Sequence, residues 1–288
     1  LDLAAGEEAR FERDMAALNA LPVHSSPRAS SAIPDIRGFI GMVLERGFAY
    51  EAGGSVYFDV SKFPSFGTVS HYSEQQMLEY ARERGGQVDD PRKRHPLDFV
   101  LWHPSLADEP SWDTMWGPGR PGWHIECSAL ALRELGTTID LHGGGSDLIF
   151  RHHECERAQS EGATGEPFVK HWMHTGMIFM DGHKMSKSLG NLVFVDKLRT
   201  EWDPRAIRLG IIEHHYRHDW QWDDTLMPRN AARLHAWAAT SGESGVVDEV
   251  RAALDDDLDT PGALAAIDAA AAAGHGVHEA AALLGVTL

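Results

Sequence analysis

The sequence is poor in cysteine, has no long apolar run and carries no lysine after Lys197. Its two cysteines, Cys127 and Cys155, are too few for a disulfide framework and favour a reducing compartment. No run of eighteen apolar residues occurs, so we expect no membrane-spanning helix. The first fifteen residues are acidic and lack the apolar core of a secretion signal. These absences predict a cytoplasmic protein that does not enter a membrane.

Acidic residues outnumber basic ones, and the formal charge at pH 7 is −17. The imbalance is strong in residues 201–288, where 15 Asp or Glu stand against 6 Arg and no Lys. Such a surface repels a phosphodiester backbone, because nucleic-acid binding needs clustered cations. We therefore expect no nucleic-acid partner, tRNA included.

At 288 residues and 43% hydrophobic content, the chain can form one large or two modest domains. From residue 123 helical and strand patterns alternate, which is typical of an α/β domain with a largely parallel sheet. The predicted helices are 6–21, 31–46, 73–84, 123–135, 152–162, 224–240, 246–256 and 260–273, and the predicted strands are 55–60, 97–102, 137–143 and 168–176. Asp203-Pro204 and Thr260-Pro261 each predict an N-cap followed by the first helical residue. We expect an α/β body over 1–200 and a helical domain over 201–288.

Three residues form a candidate metal site. His152 and Glu156 are four residues apart on a predicted helix, so both can face one ion, and Cys127 supplies a thiolate. Sulfur, imidazole and carboxylate together suit Zn²⁺, which prefers four ligands, so the fourth is absent from this set or is the substrate. The alternative is a buried cysteine beside a surface histidine pair, and spacing alone does not decide between the two.

The string KMSKS places Lys184 and Lys187 three residues apart in a loop bounded by Gly182 and Gly190. Two ammonium groups on such a loop can follow phosphate charge as it develops. A surface lysine pair is the alternative, and this five-residue string in an α/β context favours the phosphate interpretation. A polyphosphate ligand is therefore expected.

Two further features accompany these motifs. The glycine triplet of HGGGSD (142–147) follows a predicted strand, where glycines let the backbone approach a ligand closely, although a tight turn explains a triplet equally well. Trp123 lies four residues before Cys127 and could form a pocket wall beside the metal.

These residues carry a family resemblance over nearly the whole chain. EPSW…GRPGWHIECSA, HGGGSDLIF-x-HHE, WMHTGM and KMSKSLGN resemble the class I cysteinyl-tRNA synthetase superfamily. Within it, DGHKMSKSLGNLVFV, DPRAIRLG, HYRHDWQW and DDLDTPGALAAID are more similar to the mycothiol ligase branch. That branch activates cysteine with ATP and Mg²⁺ and passes it to the amine of glucosaminyl-inositol. We also expect a monomer.

The resemblance implies a Rossmann-like class I aminoacyl-tRNA synthetase catalytic domain with a connective insertion over 1–200, followed by the helical domain. Zn²⁺ would bind the thiol of the substrate cysteine directly. The residues that match functional positions of the family are Cys127 and His152 as zinc ligands, Glu156 as the carboxylate ligand of the tRNA synthetases, Trp123 in the substrate pocket, His142, Gly144 and Asp147 near the adenylate, and Lys184 and Lys187 in the mobile ATP loop.

Two departures from the family pattern stand out. The opening half of the family, with a zinc-binding cysteine and an ATP-gripping HIGH-type motif, has no counterpart here, and no initiator Met is present, so we expect a domain incomplete at its N-terminus. Arg151 stands where the family has proline. A cysteinyl-tRNA synthetase fragment and an inactive zinc-binding paralogue remain the alternative interpretations.

Overall fold

The computed structural model describes residues 2–243 and 245–288. The chain forms two compact units: a central unit of residues 25–174, and a terminal unit that combines the residues up to 24 with 175–288. These units do not coincide with the predicted division near residue 200. As a boundary between family domains, that division stays a prediction.

The central unit contains four helices and six strands, numbered in chain order. Its helices are α2 (Ile33–Glu45), α3 (Glu74–Glu83), α4 (Trp123–Leu135) and α5 (Glu154–Thr164), and its strands are β1 (Ala49–Ala52), β2 (Ser55–Phe58), β3 (Phe99–His103), β4 (Arg120–Pro121), β5 (Ile139–Gly145) and β6 (Val169–Thr175), the last of which ends at the unit boundary. Strands β1 to β4 form one sheet in that order, and β5 pairs with β6. All four helices were predicted, to within two residues at each end.

The four-stranded sheet lies before the region for which a largely parallel sheet was predicted, and its three pairings are all antiparallel. The reason is local. Gly53 and Gly54 are the only residues between β1 and β2, and a two-residue connection can join only antiparallel neighbours. The alternating pattern that suggested a parallel sheet begins only at residue 123, after this sheet is complete.

The core of the central unit fixes the start of α4. The Phe58 and Phe99 rings stack 4.8 Å apart between β2 and β3, within a buried apolar cluster. Gly122, the N-cap of α4, donates its N–H to the Leu101 carbonyl at 2.9 Å. A Cβ at this position would lie 2.2 Å from the Val100 carbonyl oxygen, so only glycine lets the helix begin against the strand. The sheet thereby sets where α4 points its first side chains.

The terminal unit is mainly helical. Its helices are α1 (Asp2–Ala17), α6 (Val195–Leu198), α7 (Pro204–Ile212), α8 (Leu226–Ala238), α9 (Val247–Asp255), α10 (Thr260–Ala272) and α11 (His278–Leu283), and its strands are β7 (Ile178–Met180), β8 (His183–Lys184) and β9 (Trp220–Gln221). An apolar cluster around the fully buried Trp237 packs the last helices together. The short strand β9 interrupts the region predicted as entirely helical and pairs in parallel with β7.

The predicted helix starts of this unit are partly corrected. Asp203 caps α7 as predicted, and its carboxylate accepts the Arg205 N–H at 2.8 Å. At α10 the N-cap is Asp259, which accepts the Gly262 N–H at 2.9 Å, and Thr260 is the first helical residue. Asp259 takes the N-cap position because its carboxylate reaches the free N–H groups of the first turn.

Across the described residues, no helix combines the length and the apolar character that crossing a membrane requires.

Candidate active site

The candidate site of the central unit is built where α4 faces α5. Trp123 and Cys127 lie four residues apart at the start of α4, so they share one face of the helix. His152 precedes α5 and Glu156 lies in its first turn. The structure brings these four residues, all singled out from the sequence, into one neighbourhood.

The three predicted metal ligands lie within reach of one ion. The donor atoms of Cys127, His152 and Glu156 are all within 4.8 Å of one another. His152 Nε2 lies 3.4 Å from Glu156 Oε2, and Glu156 is completely buried. The indole of Trp123 stacks on the His152 ring at a centroid distance of 4.3 Å, while 56% of Trp123 stays exposed. One side of the cluster is therefore open next to an aromatic face.

A second donor set shares the same carboxylate. His142, His153 and Glu156 also place their donor atoms within 4.8 Å of one another. His142 Nε2 lies 3.0 Å from Glu156 Oε2, and His153 Nε2 lies 3.9 Å from it. His153 Nδ1 in turn bonds His174 Nε2 at 2.7 Å. We refer to Cys127, His142, His152, His153 and Glu156 as the donor cluster.

Burial shifts the pKa of three members of the donor cluster, Cys127, His152 and His153. It raises the pKa of the Cys127 thiol to about 12, with a further contribution from the Glu156 carboxylate. It lowers the pKa of His153 to about 3, helped by neighbouring histidines, and it also lowers the pKa of His152. Both imidazoles are therefore neutral at pH 7 and keep a lone pair for a ligand.

The donor set fits Zn²⁺. Glu156 Oε1 is buried without a hydrogen-bond partner among the described residues, and a buried carboxylate in that state calls for a cation. Neighbouring ligand atoms of a tetrahedral zinc site lie about 3.3–3.8 Å apart, so donor atoms that lie within 4.8 Å of one another need to approach by about 1.5 Å at most. Sulfur, nitrogen and oxygen donors together are a zinc-type combination.

Residues outside the donor cluster hold it in place. His124 Nδ1 lies 2.8 Å from His152 Nδ1, so it is bonded to the ring nitrogen that does not face Glu156. Buried Gln159 donates to the His124 carbonyl at 2.5 Å and to the Ser128 hydroxyl at 2.7 Å, tying α5 to α4. Partners of this kind orient metal ligands and fix their tautomers.

The segment predicted to lie near a nucleotide borders the donor cluster. Gly144, in β5, packs against the His153 ring, and a Cβ there would lie 2.9 Å from His153 Cε1. Asp147, in the helical turn after β5, lines a cavity of about 290 Å³ together with Trp123 and His152. The Asp147 carbonyl accepts a hydrogen bond from Arg84 at 2.5 Å.

Lys184 and Lys187 belong to the terminal unit, whereas the other predicted site residues belong to the central unit. Lys184 ends β8, which follows β7 through a turn at Asp181-Gly182. We call residues 184–191 the lysine loop. Asn191 holds it by accepting the Ser186 N–H at 2.8 Å and donating to the Lys184 carbonyl at 3.3 Å. The Lys187 side chain is exposed.

Sequence reasoning missed His124, His153, Gln159 and His174 as members of the site. A signal was present for His153, since it lies three residues before Glu156 and so shares its helix face. None was present for the other three, whose partners lie 21 to 35 residues away in sequence.

Comparison with protein families matches residues 2–232 to the catalytic domain of class I (C) tRNA synthetases. Among curated relatives, the L-cysteine:1D-myo-inositol 2-amino-2-deoxy-alpha-D-glucopyranoside ligase of Streptosporangium roseum is 47% identical over 275 residues, covering 93% of this chain and 68% of the relative. The enzyme of that name from Salinispora tropica is 49% identical over 278 residues, covering 92% of this chain and 69% of the relative.

Solved structures show the same architecture at lower identity. Mycobacterium tuberculosis methionyl-tRNA synthetase in complex with methionyl-adenylate aligns with a TM-score of 0.59 and 15% identity, covering 91% of this chain and 67% of that one. The apo form of the same enzyme aligns with the same TM-score at 12% identity, covering 93% of this chain and 70% of that one. At such identities the likeness concerns the fold alone.

Proposed function

The chain belongs to the class I (C) tRNA synthetase catalytic-domain family, and on that premise we propose that it is an ATP-dependent ligase joining cysteine to the amine of an amino sugar. The predicted α/β class I synthetase fold is confirmed by this membership and by the structural likeness. The observation that carries the proposal is the identity of 47% and 49% with two L-cysteine:1D-myo-inositol 2-amino-2-deoxy-alpha-D-glucopyranoside ligases, over 93% and 92% of this chain.

We propose Cys127, His152 and Glu156 as the residues that hold Zn²⁺. When bound there, Zn²⁺ supplies a Lewis acid that prefers a thiolate to a hydroxyl, which separates cysteine from serine. Three protein ligands leave the fourth zinc position for the substrate sulfur. The exposed Trp123 ring, which stacks on His152, would form one wall of the pocket at that position. The buried Oε1 of Glu156, which has no hydrogen-bond partner among the described residues, is a carboxylate oxygen free to bind the ion.

ATP activation of cysteine is assigned to two groups of residues. His142, Gly144 and Asp147 are proposed to contact the adenylate, a role supported by the glycine backbone along β5 and the cavity beside Asp147. Lys184 and Lys187 are proposed to bind the phosphates, with Mg²⁺ as counter-ion. Two fixed positive charges stabilise the negative charge that grows on the leaving pyrophosphate.

The acceptor that we propose is glucosaminyl-inositol, as the names of the relatives indicate, with the chain acting as a cytoplasmic monomer. A cysteinyl-tRNA synthetase would need a cationic surface for tRNA, whereas residues 201–288 carry 15 Asp or Glu against 6 Arg. A small amino sugar needs only a pocket near the adenylate and a base that accepts a proton from its amine.

The test is an acceptor assay on the full chain with ATP, Mg²⁺, Zn²⁺ and labelled cysteine, offering glucosaminyl-inositol and cysteine tRNA in separate reactions. The Streptosporangium roseum ligase serves as the positive control. We expect label on the amino sugar and none on the tRNA. Label on tRNA alone would overturn the proposal in favour of a synthetase, and adenylate formation with both acceptors unlabelled would overturn the assigned acceptor.

A further inference from the structure

The cavity beside Trp123 and His152 is strongly cationic in an otherwise acidic protein. Five of its lining residues are basic, namely Arg84, Arg92, Lys93, Arg120 and Arg151. Asp147 is the only carboxylate among the described residues that line it. A concentration of one charge sign in a cleft focuses the field and attracts ligands of the opposite sign.

Two of the five cations already have partners outside the cavity wall. Arg92 forms a two-point ion pair with Asp90, at 2.9 and 2.7 Å. Arg120 forms an equivalent pair with Glu109, with both distances 2.9 Å. Their charges are neutralised locally, so neither needs a ligand.

The remaining three, Arg84, Lys93 and Arg151, have no carboxylate partner among the described residues. Arg84 donates to the Asp147 carbonyl, and Lys93 donates to the Gly86 carbonyl at 2.6 Å. Arg151 is half-buried and makes neither a hydrogen bond nor an ion pair within residues 2–243 and 245–288. Counted against Asp147, the three leave an excess of two positive charges on the cavity wall.

Arg151 and Lys93 repel each other across this space. Two effects lower the pKa of the Lys93 ammonium to about 8: burial, which is the larger, and the charge of Arg151. Two like charges held together at such a cost are stabilised when an anion comes between them.

We propose that Arg151 and Lys93, with Arg84 at the rim, form a subsite for the phosphate group of a small molecule. The guanidinium of Arg151 offers a planar fork of donors that matches phosphate oxygens, and Lys93 adds a point charge. The cavity, at about 290 Å³, suits a phosphate with at most a sugar attached, and Trp123 offers a face on which a sugar ring can stack.

This subsite deepens the proposed function and rests on it, since that function determines which phosphate could bind. The phosphate would belong either to a phosphorylated form of the amino-sugar acceptor or to the pyrophosphate end of ATP. Anion binding itself needs no turnover. It can therefore be measured, and can fail, independently of ligase activity.

The experiment is calorimetric titration of the full chain with glucosamine 6-phosphate, glucosamine, pyrophosphate and ATP. We expect the phosphorylated ligands to bind and glucosamine not to bind. Arg151→Gln should weaken binding by about tenfold or more, the scale for losing a hydrogen bond to a charged group. Lys93→Gln should act in the same direction, and Arg151→Lys should restore part of the affinity. Arg37→Gln, an exposed arginine of α2 outside the cavity, is the matched control and should bind like the parent.

The ranking of ligands identifies the source of the phosphate. Tighter binding of glucosamine 6-phosphate supports a phosphorylated acceptor, and tighter binding of pyrophosphate or ATP supports the nucleotide. Equal affinity of the parent, Arg151→Gln and Lys93→Gln would overturn the proposal, as would an absence of binding by all three phosphorylated ligands. Normal anion binding without ligase activity would instead count against the proposed function alone.

Discussion

The donor cluster of the central unit and the lysine loop of the terminal unit hold their functional groups by different means. The donor cluster is packed between α4 and α5, and Glu156 at its centre is completely buried. The lysine loop is bounded by glycines and kept in shape by a few hydrogen bonds, two of which are made by the Asn191 side chain and one by the Ser186 hydroxyl, which accepts the Leu189 N–H. In the first case packing fixes the chemistry, and in the second case a few polar contacts on a largely exposed loop do so.

The difference predicts separable responses. A change in the donor cluster acts on a buried carboxylate and its ligands, so it should alter metal content. A change in the lysine loop removes a charge that faces water, so it should alter phosphate chemistry and leave stability nearly unchanged. Variants of the two regions should therefore differ in which property they lose.

The largest effect is expected from Cys127→Ala. It removes the one sulfur donor of the proposed zinc set, so zinc content after gentle purification should fall from about one ion per chain to background. Elemental analysis measures it directly. Lysine-loop variants should keep their zinc, because neither lysine belongs to the donor cluster.

Cys155→Ala is the matched control for this change. Cys155 is the other cysteine of the chain, fully buried in the apolar core of the central unit and outside the donor cluster. We expect this variant to keep its zinc and to lose only the modest stability of a small cavity. Zinc retained by Cys127→Ala at the parent level would show that the assigned ligand is wrong.

The next effect is expected from replacing Lys184 and Lys187 together with alanine. Cysteine-dependent pyrophosphate exchange should slow by at least about a hundredfold, the scale for losing preorganised charge at a developing negative charge. The melting temperature should barely change. Lys197→Ala, an exposed lysine of α6 in the same unit, serves as the control and should exchange normally. A large fall in melting temperature with normal exchange would make the loop structural.

Local spacing explains which parts of the site could be predicted from the sequence. Trp123 with Cys127, and His152 with Glu156, are each four residues apart on a helix, and helical geometry alone puts such pairs on one face. That the two faces meet was an inference from ligand chemistry. The contact of His124 with His152 depends on how two helices pack, so no local pattern could indicate it.

The same limit applies to the fold. The helices of the central unit carry strong periodicity and a clear stop or start, as at Gly122 before α4, so their bounds were predicted closely. Strand β4 contains two residues and includes Pro121, which gives no strand signal, and it exists because Trp102 pairs with it. Strand β9 is equally short and depends on β7. Strands this short form only because a partner strand lies beside them, so no local sequence pattern indicates them.

The smallest effect is expected from Asn191→Ala, which leaves both lysines in place and removes two of the hydrogen bonds that shape their loop. Its side chain makes two hydrogen bonds, one from the Ser186 N–H and one to the Lys184 carbonyl. Partly exposed hydrogen bonds contribute about 0.5–1.5 kcal/mol each, so misplacing the lysines should slow pyrophosphate exchange by roughly two- to tenfold. Zinc content and melting temperature should match the parent. A loss of exchange as large as that of the double lysine variant would mean that loop shape outweighs charge, and a loss of zinc would break the separation between the two regions.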